Sequence, residues 1–504
     1  MNATSSGYRS LLIASGLMLP AFVLLIAILW VCNGQLMYTL DDPYIHLELA
    51  RHLQHLHYGI NDADYAAPSS SILWPFLLTP FAGWSYFVTL PLIINLACLF
   101  ATLLLLVRLM HDLSVFQATL MATVTALSLN LYGVVFTGME HSLQVLLAVA
   151  AGVLINAHSR DRLARGATLL LYVCLLLLPF VRYEGLAISV PMLAYLACHG
   201  QIRRAALTLA GLVIGLAGFS LFLHQLGLGY LPSSILAKSP PGAWTIYNNI
   251  KTNLEHYGWL IAFLLPFLGL SVYRDDRPLA LAIGAAVLLQ GVFGQVGWLG
   301  RYEIYLLAFL TPFLIDRVIR TRPQLIYVCV LAPLAFFSLL WVTLFTPLAA
   351  SNIYNQQARL ATIAAKLQAP VAVNDLGLIS FRTDAYVLDL WGLGSLTALR
   401  ERQAEQADAG WMDRLMRRHG VEYAFIYPGW FRRLPDNFIK IADLTLDELR
   451  VSAAGSQVSI FARDETHADI LRRHLRAYLA HHRSPDYAIT FIEAPQTNVA
   501  GAAP

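Results

Sequence analysis

The chain has 504 residues, of which 57% are hydrophobic and only 13% are charged, and its mean hydropathy is +0.58. This composition excludes an ordinary water-soluble protein and predicts a polytopic membrane protein that is mainly α-helical. The net charge of +3 does not give the orientation, because the distribution of Lys and Arg among the loops determines it. The five cysteines lie in or beside apolar runs without a paired motif, so we expect neither disulfides nor a cysteine metal site.

Apolar segments of about the length needed to cross a bilayer recur along residues 1–348. A spanning helix needs roughly 20 residues and several segments are shorter, so we predict about eleven spans with soft boundaries. They lie near 10–32, 86–107, 117–136, 140–157, 166–181, 184–200, 205–225, 257–273, 279–297, 303–316 and 324–346. The first is too long for a signal-peptide core and is predicted to be retained, whereas 71–83 is broken by prolines and is predicted to be interfacial or re-entrant.

The stretch 41–56 follows the first predicted span. Asp42 is predicted to cap a helix that Pro43 opens, because the fixed φ and missing N–H of proline suit the first helical position. Apolar residues recur at helical spacing with charged residues and histidines between them, which predicts an amphipathic helix along the membrane surface. On this pattern alone, Asp41 would be only a solvated loop residue and Asp42 only a helix cap.

Basic residues are distributed unevenly between alternate loops. With the N-terminus inside, the predicted cytoplasmic turns hold twelve, namely Arg9, Arg108, Arg160, Arg162, Arg165, Arg203, Arg204, Arg274, Arg277, Arg317, Arg320 and Arg322. The opposite loops hold five, although their total length is greater, namely Arg51, Arg182, Lys238, Lys251 and Arg301. Because cytoplasmic loops are enriched in Lys and Arg, the distribution supports this topology.

After residue 348 the composition changes to that of a globular domain. Helical patterns at 358–367, 410–419 and 467–481 alternate with strand-like patterns at 371–373, 386–390, 423–426 and 457–461. We therefore predict two parts. Residues 1–348 form a transmembrane helical bundle, whose extracytoplasmic loop 33–85 carries the Asp41-Asp42 pair, and residues 349–504 form an extracytoplasmic α/β domain.

The ionisable residues near the ends of the spans collect on one side of this topology. Charges at the edges of apolar helices are costly unless they pair or line a wet cavity, so their clustering predicts a functional site. The carboxylates could act as a base or hold a cation, and three basic residues are suited to a phosphate or diphosphate. The residues are Asp41, Asp42, Glu140, His141, Arg182, Glu184, Lys238, Arg301 and the neighbouring Tyr302.

Each of these residues also has a structural interpretation. Arg182 and Glu184 could form a self-satisfied turn, and Glu140 could stabilise the N-terminus of the next helix through its dipole. Lys238 and Arg301 could reach lipid headgroups at the interface. The combination of residues, rather than any one of them, supports a site.

Several short motifs resemble the GT-C superfamily of polytopic glycosyltransferases, in particular its arabinofuranosyltransferase-like and mannosyltransferase-like branch, which uses polyprenyl-phosphate sugars. The sequence DDPYIHLELAR at 41–51 resembles the family's "DDAYISFRYAR", TGME at 137–140 resembles "TGLE", and VRYEG at 181–185 resembles "RPEG". LPSSILAK at 231–238 resembles "LPNSFYAK", and NDLG at 374–377 and LDLWGL at 388–393 resemble "NDAGAI" and "VDLLGL". The matches fall in the family's order.

The resemblance implies a GT-C-like fold and an inverting sugar transfer from a polyprenyl-phosphate donor. Asp41 or Asp42 would deprotonate the hydroxyl of a glycan, lipid or protein acceptor, with Asp41 preferred as the base, while the other orients it or holds a divalent cation such as Mg²⁺ or Mn²⁺. Lys238, Arg182 and Arg301 would bind the donor phosphate. The supporting residues would be Tyr44, Glu140, His141, Glu184 and Tyr302.

The implied location is the bacterial inner membrane, with the active site and the C-terminal domain in the periplasm. The expected partners are the lipid-linked donor, the acceptor and the bilayer, and no nucleic acid is expected. Two alternatives have the same one-sided cluster of polar residues: a transporter or flippase of lipid-linked glycans, and a non-catalytic subunit that keeps the fold. A transporter would place charges through the membrane depth, whereas the centres of these segments are nearly free of charge.

Overall fold

The computed structural model describes residues 3–238, 243–321, 340–404, 410–482 and 484–492. Its N-terminal part is almost entirely helical, since a helix satisfies the backbone hydrogen bonds of an apolar run internally. The α-helices of this part are α1 (Ala3–Gly16), α2 (Leu19–Val31), α3 (Asp42–Gln54), α4 (Leu73–Leu78), α5 (Leu90–Leu109), α6 (Val115–Ser128), α7 (Leu131–Val135), α8 (His141–His158), α9 (Arg165–Val181), α10 (Leu186–Leu196), α11 (Ile202–Gln225), α12 (Ser233–Lys238), α13 (Ala243–Asp275), α14 (Arg277–Phe293), α15 (Ile304–Thr321) and α16 (Leu340–Leu344).

Four helical stretches among the described residues are long and apolar enough to cross a membrane, namely Gly7–Val31, Phe87–Leu109, His141–His158 and Tyr183–Gln225. Three further apolar helices are shorter, namely Val115–Ser128, Arg165–Val181 and Arg277–Phe293. The prediction of about eleven spans is therefore corrected. Several predicted segments form helices that are too short for an upright span, and most of 324–346 lies outside the described residues.

The stretch Tyr183–Gln225 is not one straight rod. His199 and Gly200 have non-helical backbone angles, and Gly200 adopts φ +77°, which glycine reaches without steric cost. The chain therefore turns between α10 and α11. These two helices correspond to the predicted segments 184–200 and 205–225.

The C-terminal part contains one mixed six-stranded sheet in the order β2-β1-β3-β5-β4-β6. The strands are β1 (Val371–Val373), β2 (Val387–Asp389), β3 (Tyr423–Ile426), β4 (Ile439–Leu446), β5 (Gln457–Ala462) and β6 (Tyr487–Phe491). The helices are α17 (Thr346–Asn355), α18 (Gln357–Leu367), α19 (Gly377–Arg382), α20 (Leu396–Ala404), α21 (Gly410–Arg418) and α22 (Glu465–Leu479). Strand β1 pairs in parallel with β2 and β3, and the remaining pairings are antiparallel. The sequence patterns did not predict β4 and β6.

The two parts share a hydrophobic core. Helix α17, which contains the predicted domain boundary at 348/349, packs against α2, and Ile353 belongs to the same buried cluster as Leu24 and Ile28. Helix α19 packs against α3. The sheet is therefore held on the helices through separate contacts that include these two.

Helix α3 differs from the predicted surface helix. Its residues from Pro43 to Ala50 are all buried, and even Glu48 is only 9% exposed. Helices α4 and α19 cover it, so its polar residues face protein rather than water. Its first residue is Asp42, and Asp41 precedes it without making a side-chain cap, so the interpretation of Asp42 as an N-cap is wrong.

A cavity lined by aspartates between the helices and the sheet

A cavity of about 380 Å³ lies between the helical part and the C-terminal end of β1. Ligand sites in proteins commonly have volumes of about 300–1,000 Å³. Its polar wall is formed by Asp41, Asp42, Arg301, Asn374 and Asp375. Its aromatic wall is formed by Trp298, Tyr302, Trp391 and Trp430. The cavity thus combines carboxylates, a guanidinium group and flat apolar surfaces.

Asp41 binds the first turn of α19. Its Oδ2 accepts a hydrogen bond from the backbone N–H of Gly377 at 2.5 Å, and its Oδ1 accepts one from the N–H of Leu378 at 2.8 Å. The first N–H groups of a helix have no partner within the helix and favour a negative charge. Asp41 is only 6% exposed, and burial raises its pKa from 3.8 to about 6 although these hydrogen bonds oppose the shift.

Asp42 forms an ion pair with Arg301. The Arg301 Nη2 donates to Asp42 Oδ2 at 2.8 Å, with the Asp42 side chain 22% exposed and the Arg301 side chain 5% exposed. The Nε and Nη1 of Arg301 are buried and have no hydrogen-bond partner among the described residues. Leaving buried donors unpaired is unfavourable, so this guanidinium group is suited to an anion that enters the cavity.

Asp375 was not among the predicted site residues, although the motif at 374–377 contains it. Its side chain is hydrogen-bonded to Asp41 and accepts from Gln357 Nε2. Burial raises the pKa of Asp375 well above its usual value, and the negative charges of Asp41 and Asp42 raise it further. The protonated carboxyl is thereby favoured and can donate to Asp41. Its position at the carboxyl end of a buried parallel strand is a signal that could have identified it.

The other predicted acidic residues lie beside the cavity rather than in its wall. Arg182 donates to Glu140 at 2.7 Å and to Glu184 at 2.8 Å, and Glu140 is fully buried. Two carboxylates thus already compensate the charge of Arg182. The ring of Tyr302 connects this group to the cavity, since the guanidinium carbons of Arg182 and Arg301 lie 5.4 and 5.0 Å from its centroid.

The remaining predicted site residues have different surroundings. His141 is buried, with its ring 6.5 Å from that of Tyr302. Tyr44 is 1% exposed, and its hydroxyl contacts Met37 and the Tyr38 backbone instead of the cavity. The backbone of Lys238 ends α12, but its side chain lies outside the described residues. The preceding Ala237 lines the cavity.

The aspartate pair does not fit a divalent cation. The two oxygens of Asp41 accept from backbone N–H groups, and the guanidinium of Arg301 lies 2.8 Å from Asp42. A cation at this position would compete with these donors and would be repelled by Arg301. Among the described residues, the one group arranged to hold a metal is Glu422, Asp464 and His467.

That group of three lies at the opposite end of the parallel strands. Glu422 precedes β3, whereas the cavity is at the other end of the parallel strand β1. Arg463 forms two hydrogen bonds with the Glu422 carboxylate, and Asp464 caps α22 through the N–H of His467. These side chains already have structural partners.

A protein-family profile described as "Domain of unknown function (DUF8728)" matches residues 351–461. The matched segment contains β1, β2, β3 and β4 and most of β5, together with Asn374, Asp375, Trp391 and Trp430 of the cavity wall. No curated protein matches the chain. The match therefore covers the wall of the cavity that the sheet provides, and not the helices that carry Asp41, Asp42 and Arg301.

Proposed function

We propose that the chain is an inverting membrane glycosyltransferase that moves a sugar from a polyprenyl-phosphate donor to a hydroxyl of a glycan, lipid or protein acceptor. The observation that carries the proposal is the buried Arg301, which lines the cavity beside the Asp42 carboxylate and has two donors without a partner among the described residues. A cation for a leaving phosphate and a base for an acceptor hydroxyl are the two groups that this displacement needs. The motif resemblance supports the same reaction.

In the proposed reaction the acceptor oxygen attacks the anomeric carbon and the bond from that carbon to the phosphate oxygen breaks. The acceptor proton passes to Asp42, and the electron pair leaves with the polyprenyl phosphate. Arg301 offers Nε and Nη1 to the phosphate oxygens while Nη2 keeps its bond to Asp42. The N–H groups of Nε and Nη1 point in different directions, so each would donate separately, and the delocalised positive charge of the guanidinium group suits it to a phosphate.

The assignment of the base differs from the preference stated from the sequence. Asp41 is almost inaccessible and both of its oxygens hold α19, so we propose that it is a positioning residue. Asp42 is more exposed to the cavity, so an acceptor hydroxyl can reach it.

We further propose that the helices lie in the bacterial inner membrane, with the cavity and the sheet in the periplasm. The distribution of basic residues supports this orientation. The four long apolar helical stretches would span the membrane, and the shorter apolar helices would pack beside them in a GT-C-like bundle. The lipid tail of the donor would lie between helices.

The proposal is tested by incubating the full chain in membranes with a panel of radiolabelled polyprenyl-phosphate sugars and an extract that contains acceptors. We expect the label of one donor to appear in a larger product. Asp42→Asn should lower this transfer by about 10²–10⁴, whereas Asp62→Asn, which changes a fully exposed carboxylate of the same loop, should not. Movement of an intact donor across the membrane without loss of its sugar would contradict the proposal and support a flippase.

A further inference from the structure

A second set of polar residues lies at the end of the helices opposite to the aspartate-lined cavity. Helix α8 begins at His141, beside Tyr302, and ends at His158, and α9 returns from Arg165 to Val181, next to Arg182. The 18 residues of α8 correspond to about 27 Å at 1.5 Å per residue. This length is close to the thickness of the bilayer hydrocarbon, so the two ends would face opposite sides of the proposed membrane.

A pocket of about 410 Å³ lies at this far end, between the α8–α9 turn and the start of α11. Arg165 and Tyr172 of α9, Arg204 of α11 and Asp161 of the turn line it. We call it the far-end pocket. Its volume is sufficient for a small ligand or a lipid headgroup.

The two arginines of the far-end pocket differ in their pairing from Arg160 and Arg317 nearby. Arg160 is bound by Asp316, and Arg317 is bound by Asp275. Arg165 and Arg204, in contrast, form no ion pair among the described residues, and the side chain of Arg204 donates to the neutral Gln201 at 2.9 Å. Two guanidinium groups are thus available to an anion.

Tyr172 supplies a third donor. This residue is 7% exposed, and its hydroxyl has no hydrogen-bond partner among the described residues. A buried hydroxyl without a partner is unfavourable, which indicates that a polar group completes the far-end pocket. A phosphate oxygen would satisfy this hydroxyl and both guanidinium groups.

Asp161 gives the far-end pocket a negative charge as well. It adopts φ +53° in the α8–α9 turn and forms no ion pair among the described residues. A site for a simple anion would be weakened by this carboxylate, because the like charges repel. A ligand that carries an ammonium group next to its phosphate would instead use it.

The surface around the far-end pocket is apolar. Leu169, one turn along α9 from Arg165, is 71% exposed, and Ile202, the first residue of α11, is 68% exposed. Such residues are suited to acyl chains.

We propose that the far-end pocket binds the headgroup of a phospholipid with a primary amine. Its phosphate would lie on Arg165, Arg204 and Tyr172, and its ammonium group would lie on Asp161. The inference rests on the proposed membrane embedding and not on the sugar transfer.

The test is native mass spectrometry of the detergent-solubilised full chain, titrated with phosphatidylethanolamine, phosphatidylcholine and phosphatidylglycerol. Phosphatidylethanolamine should bind about tenfold more tightly than phosphatidylcholine, whose quaternary ammonium has no N–H to donate to Asp161. The double variant R165A/R204A should lose at least about tenfold in affinity for phosphatidylethanolamine. The matched control is Arg203→Ala, which removes an exposed arginine of α11 that does not line the far-end pocket.

Asp161→Asn tests the contact to the ammonium group independently of the contacts to the phosphate. It should remove the preference for phosphatidylethanolamine over phosphatidylglycerol, because the ammonium loses its partner. Equal binding of all three lipids by the parent chain, or equal loss in Arg203→Ala, would overturn the proposal. Displacement of the lipid by inorganic phosphate alone at millimolar concentration would assign the far-end pocket to a free anion instead. Each of these experiments measures lipid binding and none measures sugar transfer. A protein that selects phosphatidylethanolamine but transfers no sugar would therefore contradict the proposed function and support this inference.

Discussion

The carboxylate of Asp41 accepts hydrogen bonds from the N–H of Gly377, 336 residues further along the chain, and of the following residue Leu378. The contact joins the loop after the first long helical stretch to the first turn of α19. It also fixes the end of β1, where Asp375 lies, against the residues that precede α3. The geometry of the cavity therefore depends on a contact between the two parts of the molecule.

Asp41→Ala should destabilise the attachment of the sheet. Two buried N–H groups would lose their acceptor, and each such loss costs about 1–3 kcal/mol. Asp41→Asn should recover only part of the loss, because an amide has one acceptor oxygen for two donors. In thermal unfolding of the purified protein in detergent, the midpoint should be highest for the parent, lower for Asp41→Asn and lowest for Asp41→Ala. A parental midpoint in both variants would show that the contact is dispensable.

Gly377→Ala should disrupt the same contact from the other side. A Cβ on Gly377 would lie 2.0 Å from the Asp41 carbonyl oxygen and 2.7 Å from its Oδ2, so the loop or α19 would have to move. Protease should then cleave the variant faster near residues 377–382. Gly429→Ala is the control, since nothing lies within 4 Å of its added Cβ, and it should behave as the parent does.

Asp42→Asn tests the proton acceptor. The amide oxygen can still accept from Arg301, so the shape of the site is kept while the base is lost. Turnover of the donor should fall by about 10²–10⁴. Donor binding, measured by quenching with a fluorescent polyprenyl phosphate, should change much less. Transfer at the parental rate would exclude Asp42 as the base and would favour Asp41.

Arg301→Ala tests the phosphate site. It removes a charge-assisted hydrogen bond worth about 1.5–3 kcal/mol, so donor use should weaken by roughly 10- to 150-fold. Arg301→Lys keeps the charge but not the planar set of N–H donors, so its activity should lie between those of the parent and Arg301→Ala. Measuring kcat and KM for the donor separates binding from the chemical step. Equal activity of all three proteins would show that Arg301 is structural.

Asp375→Asn should make stability less sensitive to pH. The pKa of Asp375 is raised by burial and by the charges of Asp41 and Asp42, so the folded chain retains a proton that the unfolded chain releases near pH 4. The stability contribution of this carboxyl is therefore present at low pH and is lost as the pH rises toward its folded pKa. Asparagine resembles the protonated form at all pH values.

The measurement is the unfolding midpoint of Asp375→Asn minus that of the parent, followed from pH 4 to pH 8. This difference should rise with pH. Gln357 and Tyr427, whose side chains form a hydrogen bond next to Asp375, remain unchanged in both proteins. A difference that falls with pH would mean that the ionised carboxylate is the stabilising form.

The sequence predicts the positions of the helices better than it predicts which elements pack against them. Apolar runs define α2, α5 and α8 because each helix satisfies its own backbone, so local composition is sufficient. The amphipathic pattern also predicts helix α3, but it places this helix on the membrane surface, whereas the structure buries it. Its cover includes α19, which is more than 300 residues away, and no local pattern reports such a partner.

The candidate site shows the same limit. The sequence places Asp42 and Arg301 separately on one side of the predicted topology, and the structure joins them in an ion pair that no local pattern predicts. Tyr44 was selected through a motif although it packs inside the protein. Asp375 was overlooked as a site residue, because its neighbour Asp41 is distant in sequence and its unusual proton affinity results from burial.

The shared core of α2 and α17 has a consequence for the order of events during synthesis. Leu24 emerges from the ribosome more than 300 residues before its neighbour Ile353, and Asp41 likewise precedes Gly377. Until the C-terminal residues arrive, the face of α2 that packs on α17 and the residues around Asp41 lack these partners. Nascent chains are thus exposed to mispairing for most of their elongation, and assembly of the aspartate-lined cavity becomes one of the last steps of biogenesis.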